Sequence, residues 1–319
     1  MKFIYLFGSN ITEGNANQSH ILGGKGANLA EMSNLNIPVP PGFTMSTDVC
    51  NLFLKENKIN ETIVTKVEKA LQIIEKKMGK KLGDIQNPLL LSIRSGAKIS
   101  MPGMMDTVLN VGLTTKTIPG LIEKTKNERF VYDSYRRLIL MYSDVVMEKA
   151  ENKKGINIRE KLEHVMDLVK KSKNISNDFE LDSTDLQQII KKFKKIIKKE
   201  FKVEFPNTAK EQLWGAICAV FKSWNGYRAI KYREIESISH SIGTAVNVQS
   251  MVFGNLGTNS GTGVAFTRDP SNGNNYLYGE WLENAQGEDV VAGIRTPKPI
   301  NDLSKRKNTI NENTLDDKF

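Results

Sequence analysis

The sequence predicts an α+β protein in which a helical segment is interposed between two segments that contain strands. Residues 1–112 mix short strands with helices near residues 27–34 and 63–78, while residues 113–205 carry apolar stripes at helical spacing. Residues 206–300 begin with a helix and then alternate apolar with polar or small residues, as strands do. These patterns predict two strand-bearing lobes with a helical subdomain between them.

The individual helices and strands follow from the same periodicities. In the middle segment, the helical stripes lie at 130–142, 158–169 and 186–201. Later in the chain, alternation predicts three consecutive strands of an antiparallel meander near 245–253, 263–267 and 276–281, joined by turns at 254–261 and 269–275. Residues 301–319 show little apolar periodicity and are predicted to form a disordered tail.

A loop that follows the second predicted helix combines cationic and small residues. Residues 92–107, SIRSGAKISMPGMMDT, place Arg94 and Lys98 among hydroxyl side chains, and Gly96 and Gly103 allow backbone N–H groups to approach an anion. This composition favours a nucleotide site. A surface loop with one structural salt bridge is the alternative for these residues alone.

A second glycine-rich stretch, residues 22–32, has the sequence LGGKGANLAEM and opens a helix. Glycines around Lys25, followed by a helix N-terminus, offer backbone donors and a positive charge to a phosphate. The stretch is not a Walker A loop, because Lys25 is followed by glycine and alanine rather than by serine or threonine. By itself it is equally compatible with a simple turn.

Composition and charge exclude several classes of function. The net charge is +9, but six lysines lie between residues 191 and 199 on one face of a predicted amphipathic helix, without the aromatic interleaving of a single-strand binding groove. We therefore expect no nucleic-acid partner. No membrane segment or secretion signal is evident, so we expect a cytoplasmic protein. Cys50 and Cys218 lie in apolar helical contexts and are predicted to be core thiols.

Taken in order, the motifs resemble the N-terminal nucleotide-binding domain of the pyruvate, phosphate dikinase family. The resemblance covers nearly the whole chain to about residue 300. The runs that carry it are YLFG, LGGKGANLAEM, PVPPGF, SIRSGAKISMPGMMDTVLN, ERFVYDSYRR, QLWGAICAVFKSWN, GTAVNVQSMVFGN, SGTGVAFTRDPS and NAQGEDVVAGIRTP.

The family resemblance implies an ATP-grasp-like fold whose two lobes bind Mg-ATP. By this likeness residues 1–112 form the first lobe, residues 113–205 the helical subdomain and residues 206–300 the second lobe. Lys25 and Arg94 are expected to contact the phosphates, and the loop 98–106, which contains Gly103, is expected to cover them. Such domains donate the pyrophosphoryl group of ATP to a histidine on a separate domain, within an overall conversion of ATP, phosphate and pyruvate to AMP, pyrophosphate and phosphoenolpyruvate.

An acidic segment supplies the expected second half of this site. Mg²⁺ prefers a few carboxylate oxygens together with phosphate oxygens and water. Glu280 ends an alternating strand, and Glu288 follows in a turn-rich segment. The resemblance implies that these two carboxylates face Mg²⁺ and that Gln286 and Arg295 complete the nucleotide site. From the residues alone, an exposed acidic strand end is an equal alternative.

The chain departs from the family pattern in lacking a phosphohistidine motif. The histidines are His20, His164 and His240, and none lies in a glycine- and threonine-rich helix start. We therefore expect no catalytic nucleophile in this chain and a truncated or split form, in which another chain supplies the phosphohistidine and pyruvate-binding domains. The alternative is an inactive remnant that at most binds nucleotide.

Overall fold

A computed structural model of the chain forms two compact units, Met1–Met251 and Val252–Phe319. They are unit 1 and unit 2, respectively. The residues that the structure describes are 2–8, 10–153, 155–291, 293, 295–305 and 313–318, without the side chains of 288, 291 and 318.

Helices and strands have the following bounds. The α-helices are α1 (Ser19–Asn34), α2 (Thr47–Glu56), α3 (Glu61–Met78), α4 (Ile118–Thr125), α5 (Glu128–Tyr142), α6 (Ile158–Lys173), α7 (Ser183–Phe201), α8 (Ala209–Ser223), α9 (Tyr227–Ile235), α10 (Gly287–Val291) and α11 (Leu315–Lys318). The strands are β1 (Ile4–Phe7), β2 (Gly42–Met45), β3 (Leu91–Gly96), β4 (Thr107–Val111), β5 (Ala245–Ser250), β6 (Gly261–Phe266), β7 (Tyr278–Glu283) and β8 (Lys298–Pro299). The predicted mixture of helices and strands is confirmed, whereas the ATP-grasp assignment stays a prediction.

Unit 1 is built on an antiparallel sheet with the strand order β1-β2-β5-β3-β4. An apolar row crosses four of these strands through Phe43, Val248, Ile93 and Val108, and all four residues are fully buried. Because side chains alternate between faces along a strand, the neighbouring residues form a second row on the opposite face. The apolar row anchors the core, and the second row carries the candidate site.

The helical segment predicted at 113–205 lies within unit 1. Its helices α5, α6 and α7 pack on one another, and α5 also packs on the edge strand β4. Apolar residues of α7 such as Phe193 and Ile197 are fully buried, so the lysine-rich face of this helix is its exposed face, as predicted. The helices are confirmed, whereas the boundaries at 112 and 205 stay predictions; the two compact units meet at Met251 and Val252.

The predicted second lobe, residues 206–300, includes parts of both units. Strand β5 pairs with β2 and β3 in the sheet of unit 1, so the predicted meander of three consecutive strands is wrong for this strand. In unit 2, β6 and β7 pair antiparallel as predicted, and β8 completes a three-stranded sheet. Helices α8 and α9 precede β5 and lie in unit 1. Pairing between distant segments, rather than the chain order, therefore decides where this strand lies.

The predicted disordered tail is ordered in the parts that the structure describes. The Ser304 hydroxyl accepts a hydrogen bond from the backbone N–H of Gly279 at 3.1 Å, and the N–H of Asp316 donates to the carbonyl of Ile300 at 3.2 Å. Ser304 and Thr314 are buried. These contacts tie the tail to strand β7 and to Ile300, directly after β8, while residues 306–312 and 319 lie outside the described part.

Candidate nucleotide-binding site

The two glycine-rich motifs meet where α1 crosses the end of β3. Helix α1 is interrupted at Gly23, which has φ 67° and ψ 170°. A Cβ atom on Gly23 would lie 1.5 Å from the carbonyl oxygen of Gly96, the last residue of β3. The next residue, Gly24, donates its backbone N–H to the carbonyl of Ala97 at 2.9 Å. The LGGKG segment and the arginine loop therefore join through direct backbone contact.

Close packing also requires the third glycine of this segment. A Cβ on Gly26 would lie 2.8 Å from the Thr44 hydroxyl oxygen and 2.9 Å from the side-chain carbonyl oxygen of Asn247. The first two glycines likewise serve this packing, since one meets Gly96 and the other uses its N–H on Ala97. The sequence predicts that these glycines offer backbone N–H groups to a phosphate, and in the structure they bring α1 onto the sheet.

Lys25 and Arg94 are brought together by this junction. The Lys25 amine donates a hydrogen bond to the carbonyl of Ser95 at 3.2 Å, one residue beyond Arg94 on β3. Partial burial of the amine and, secondarily, the charge of Arg94 lower the pKa of Lys25 below its usual value. Two cations that disfavour one another's charge attract an anion placed between or beside them. This electrostatic arrangement favours phosphate binding.

Arg94 belongs to a polar row that sequence reasoning missed. The register of the sheet places Arg94 opposite Asn247 on β5 and Thr107 on β4, while Thr44 on β2 lies opposite Asn247. The Thr44 hydroxyl donates to the Asn247 side-chain oxygen at 2.7 Å, and both residues are buried beneath α1. Arg94 is the exposed residue of β3 in this row, between Asn247 and Thr107. The alternation of amides with valines in residues 245–250 is the sequence signal for it.

Gly103 lies in the loop that the resemblance places over the phosphates. It has φ +70°, and no heavy atom of the described residues lies within 4 Å of the position that its Cβ would occupy. The loop is attached at one end through Ala97, whose carbonyl accepts from Gly24, and the N–H of Met104 donates to the carbonyl of Met101 at 3.2 Å. Gly103 is thus required for its backbone conformation and not for close packing.

In unit 2, the structure shows the side chains of three predicted site residues. Glu280 is half-buried on the central strand β7, opposite Val264 of β6. Gln286 is buried, and its side-chain nitrogen has no hydrogen-bond partner within the described residues. Arg295 donates to the carbonyl of Asn284 at 3.2 Å. A buried amide without a partner is costly in a folded protein and is a candidate for contact with a ligand.

Of the two predicted metal ligands, the structure describes the side chain of Glu280. The side chain of Glu288 lies outside the described residues, although its backbone lies in α10. Among the side chains that the structure describes, no three His, Cys, Asp or Glu residues group as a metal site. Asp289, the other acidic residue of this segment, accepts a hydrogen bond from the backbone N–H of Gln286 at 2.9 Å and so caps α10. Since Mg²⁺ needs only one or two carboxylates when phosphates are present, Glu280 remains a chemically suitable ligand.

The histidines and cysteines have structural environments in unit 1. His240 accepts a hydrogen bond from the guanidinium of Arg233 at its Nδ1 atom, at 3.1 Å, and His164 is exposed on α6. The backbone carbonyl of His20 accepts from the Thr47 hydroxyl. Both cysteines are free thiols. Cys50 is fully buried, as predicted, and burial raises its pKa to about 12, whereas Cys218 is only partly buried.

Comparison with known proteins agrees with the family resemblance. The family model described as "Pyruvate phosphate dikinase, AMP/ATP-binding domain" matches residues 19–70 and 62–318. The chain belongs to this family of nucleotide-binding domains. It is 50% identical over 304 residues to pyruvate, phosphate dikinase of Clostridium symbiosum and 49% identical over 305 residues to that of Rhizobium meliloti. Identity to the chloroplastic enzyme of Mesembryanthemum crystallinum is 48% over 304 residues.

These alignments cover almost all of the chain but a minor part of each relative. They include 95% of this chain and 33%, 33% and 31% of the three relatives, respectively. The chain therefore spans about a third of the length of the curated relatives it matches. Within the described residues, no helix is both long enough and apolar enough to cross a membrane. Because one of these relatives is named as chloroplastic, the cytoplasmic location of this chain stays a prediction.

Proposed function

We propose that the chain binds Mg-ATP and acts as the pyrophosphoryl-donating module of a pyruvate, phosphate dikinase. The observation that carries this proposal is the junction of α1 and β3, where backbone contact between Gly24 and Ala97 holds Lys25 beside Arg94. Family membership supplies the ligand class, since the matching domains are AMP/ATP-binding.

Lys25 and Arg94 are suited to binding a phosphate chain. The Lys25 ammonium uses one hydrogen bond on Ser95 O and has three donors, so it can bind phosphate without leaving that carbonyl. Arg94 presents a planar guanidinium that matches two phosphate oxygens. A bound polyphosphate would compensate the mutual repulsion of the two cations and would raise the pKa of Lys25 toward its usual value.

The predicted site residues of unit 2 are proposed to have binding roles of their own. Glu280 and Glu288 would hold Mg²⁺, which would neutralise charge on the phosphate oxygens. Gln286, whose buried amide nitrogen has no partner within the described residues, and Arg295 would bind the nucleotide. The pyrophosphoryl group would pass to a histidine on a separate domain. Positioning and charge compensation, rather than a covalent residue of this chain, would promote that step.

Titration calorimetry with Mg-ATP tests the binding proposal. We expect Arg94→Ala to weaken binding by about 1.5–3 kcal/mol, or roughly 10- to 150-fold, because a charge-assisted hydrogen bond to phosphate is lost. Lys25→Ala should also weaken binding. The matched control is Lys195→Ala, which removes an exposed lysine from α7. Equal affinities for the Arg94 variant and the control would refute the assignment of Arg94.

Gln286→Met separates a binding role from a structural one. The substitution removes a buried nitrogen that lacks a partner within the described residues, so the free energy of unfolding should stay the same or rise. Mg-ATP affinity should nevertheless fall if the amide contacts the nucleotide. Unchanged affinity in a stable Gln286→Met protein would remove Gln286 from the site.

Transfer is tested with ATP labelled at the β-phosphate and an isolated phosphohistidine domain from a relative. A donor module should produce acid-labile label on the acceptor histidine, with Lys25→Ala and Arg94→Ala as negative controls. The rate should be low, because an untethered acceptor lacks the effective concentration that a linker provides. Absence of label at saturating acceptor, with ATP binding confirmed, would favour a nucleotide-binding remnant.

A further inference from the structure

The outer side of helix α7 carries a cluster of lysines that the candidate nucleotide site does not use. We call this cluster the α7 lysine face, and its members are the exposed residues Lys191, Lys192, Lys195 and Lys199. With about 3.6 residues per helical turn, these side chains project within an arc of about 100° around the helix axis. A rise of about 1.5 Å per residue spreads them over about 12 Å along the helix.

The apolar side of α7 determines where this face lies. Leu186, Phe193 and Ile197 are fully buried, and α7 packs on α5 and α6. The four lysines lie on the opposite side of the helix, so they are directed away from the core. A partner can therefore reach them without any rearrangement of the helical segment.

Neighbouring carboxylates do not neutralise the charges of this face. The sequence has no aspartate or glutamate between Asp185 and Glu200. The two acidic residues at the end of α7 pair with other lysines, Glu200 with Lys161 at 2.9 Å and Glu204 with Lys198 at 2.6 Å. Within the part of the chain that the structure describes, none of the four lysines of the face forms an ion pair or a hydrogen bond with a side chain.

The lysines of the face also repel one another. Lys195 is four residues from both Lys191 and Lys199. At this spacing two like charges are neighbours on the helix surface and destabilise the helix. An extended anionic partner would compensate this repulsion, and the charge of the face is complementary to such a partner.

The residue types of the face indicate which anionic partner fits it. Its other exposed residues in this part of α7 are Gln187 and Gln188, so it offers no arginine and no aromatic ring. Protein interfaces are enriched in arginine and aromatic residues and depleted in lysine. Single-stranded nucleic acids are bound through stacking on aromatic rings. Anionic lipid head groups need neither, because a cluster of about four to eight lysines is attracted to them by charge alone.

We propose that the α7 lysine face binds the surface of a bilayer that contains anionic phospholipids. The lysine amines would lie among the phosphate and carboxylate groups of the lipids. Because the apolar side of α7 is buried in unit 1, the helix would stay folded on α5 and α6 and would not insert into the hydrocarbon. Each lysine near such a surface strengthens binding about fivefold, and salt weakens the attraction.

Cosedimentation of the full chain with lipid vesicles tests this proposal. At low ionic strength we expect binding to vesicles of phosphatidylcholine and phosphatidylserine, no binding to phosphatidylcholine alone, and release as the salt concentration rises. A triple variant with Lys191→Gln, Lys195→Gln and Lys199→Gln should bind the anionic vesicles about 100-fold more weakly, because three of the four charges are lost.

The matched control is a triple variant with the same net charge, in which three exposed lysines of unit 1 outside the face are replaced. Its substitutions are Lys55→Gln, Lys58→Gln and Lys76→Gln. It should bind anionic vesicles within about threefold of the unmodified chain, because charges far from the bilayer are screened. Urea unfolding shows that weaker binding is not a folding defect, since the α7 variant should be as stable as the unmodified chain or more stable once the like charges are gone.

Absence of binding to phosphatidylserine vesicles would overturn the proposal. Equal weakening in the two triple variants would also overturn it, because net charge rather than the α7 lysine face would then drive adsorption. The same assays with single-stranded RNA and with polyglutamate examine the other polyanions. Binding of either one through the α7 lysines, without vesicle binding, would show that the face serves a different partner and would refute the lipid assignment.

Discussion

Replacing Gly23 by alanine should destabilise unit 1 much more than the same replacement at Gly103. Both glycines have a positive φ, +67° and +70° respectively. They differ in their surroundings, because a Cβ on Gly23 would lie 1.5 Å from the carbonyl oxygen of Gly96, whereas no heavy atom of the described residues lies within 4 Å of a Cβ on Gly103. Comparing the two variants therefore shows how much steric exclusion adds to the destabilisation that a positive φ causes.

The expected magnitudes follow from these contacts. An alanine with positive φ costs about 1–2 kcal/mol, and this is the whole expected cost at Gly103. At Gly23 the methyl group also has to displace α1 from β3, which would break the hydrogen bond from Gly24 to Ala97 and loosen the packing around it. Strain of about 1–3 kcal/mol, a hydrogen bond of about 1 kcal/mol and lost packing add up to roughly 3–5 kcal/mol.

Urea unfolding followed by circular dichroism measures the two free energies. Gly24→Ala is a second control, since its Cβ would lie in ordinary contact, 3.6 Å from the carbonyl oxygens of Ala97 and Lys98, and alanine favours helix. It should leave stability unchanged or slightly higher. If Gly23→Ala costs no more than Gly103→Ala, the packing explanation of the LGGKG segment is refuted.

Two further predictions concern charge and the tail. Burial opposes ionisation of Asp133, but the charges of Arg136 and Arg137 outweigh burial and lower the pKa of this carboxyl from 3.8 to about 2. The ionised carboxylate should therefore stabilise the folded state by about 2 kcal/mol above pH 4. This stabilisation should be lost as the pH falls toward 2. Asp133→Asn should flatten the dependence of unfolding free energy on pH in that window, and an unaltered dependence would exclude this carboxyl as its source. Ser304→Ala leaves the buried N–H of Gly279 without its acceptor and should destabilise unit 2 by about 1 kcal/mol. Amide exchange at Gly279 measures this change, and unaltered protection would show that the tail contact is dispensable.

The helices and strands that depend on local sequence patterns were predictable from the sequence. Helices α5, α6 and α7 follow from apolar stripes, because one face of each packs in unit 1. Strands β6 and β7 follow from alternation and the turn residues between them. The nearness of Lys25 to Arg94 followed from the family resemblance, since nothing in either motif alone requires contact with the other.

Strand β5 shows what local patterns leave out. Its pairing partners β2 and β3 lie more than 140 residues earlier in the chain, and alternation predicts a strand without naming its neighbours. The pocket that Asp106, Lys149 and Arg228 line was missed for the same reason, since these residues come together only in the fold. A signal was present for β5, because all six of its residues are buried and its amides alternate with valines. A strand buried on both faces belongs in the centre of a sheet rather than at the edge of a meander.

The glycines of the LGGKG segment show how packing and binding are coupled in this domain. A glycine-rich loop next to a lysine suggests that the loop itself binds the anion, but here the glycines allow α1 to approach β3 and β5. That approach places the Lys25 amine on Ser95 O and so fixes the distance between Lys25 and Arg94. A side chain at position 23 or 26 would clash with the sheet and displace α1. Lys25 would then move even though the new side chain does not contact a ligand. The glycines therefore act on the candidate phosphate site through the position of the helix, and their substitution should weaken binding only as far as it displaces Lys25.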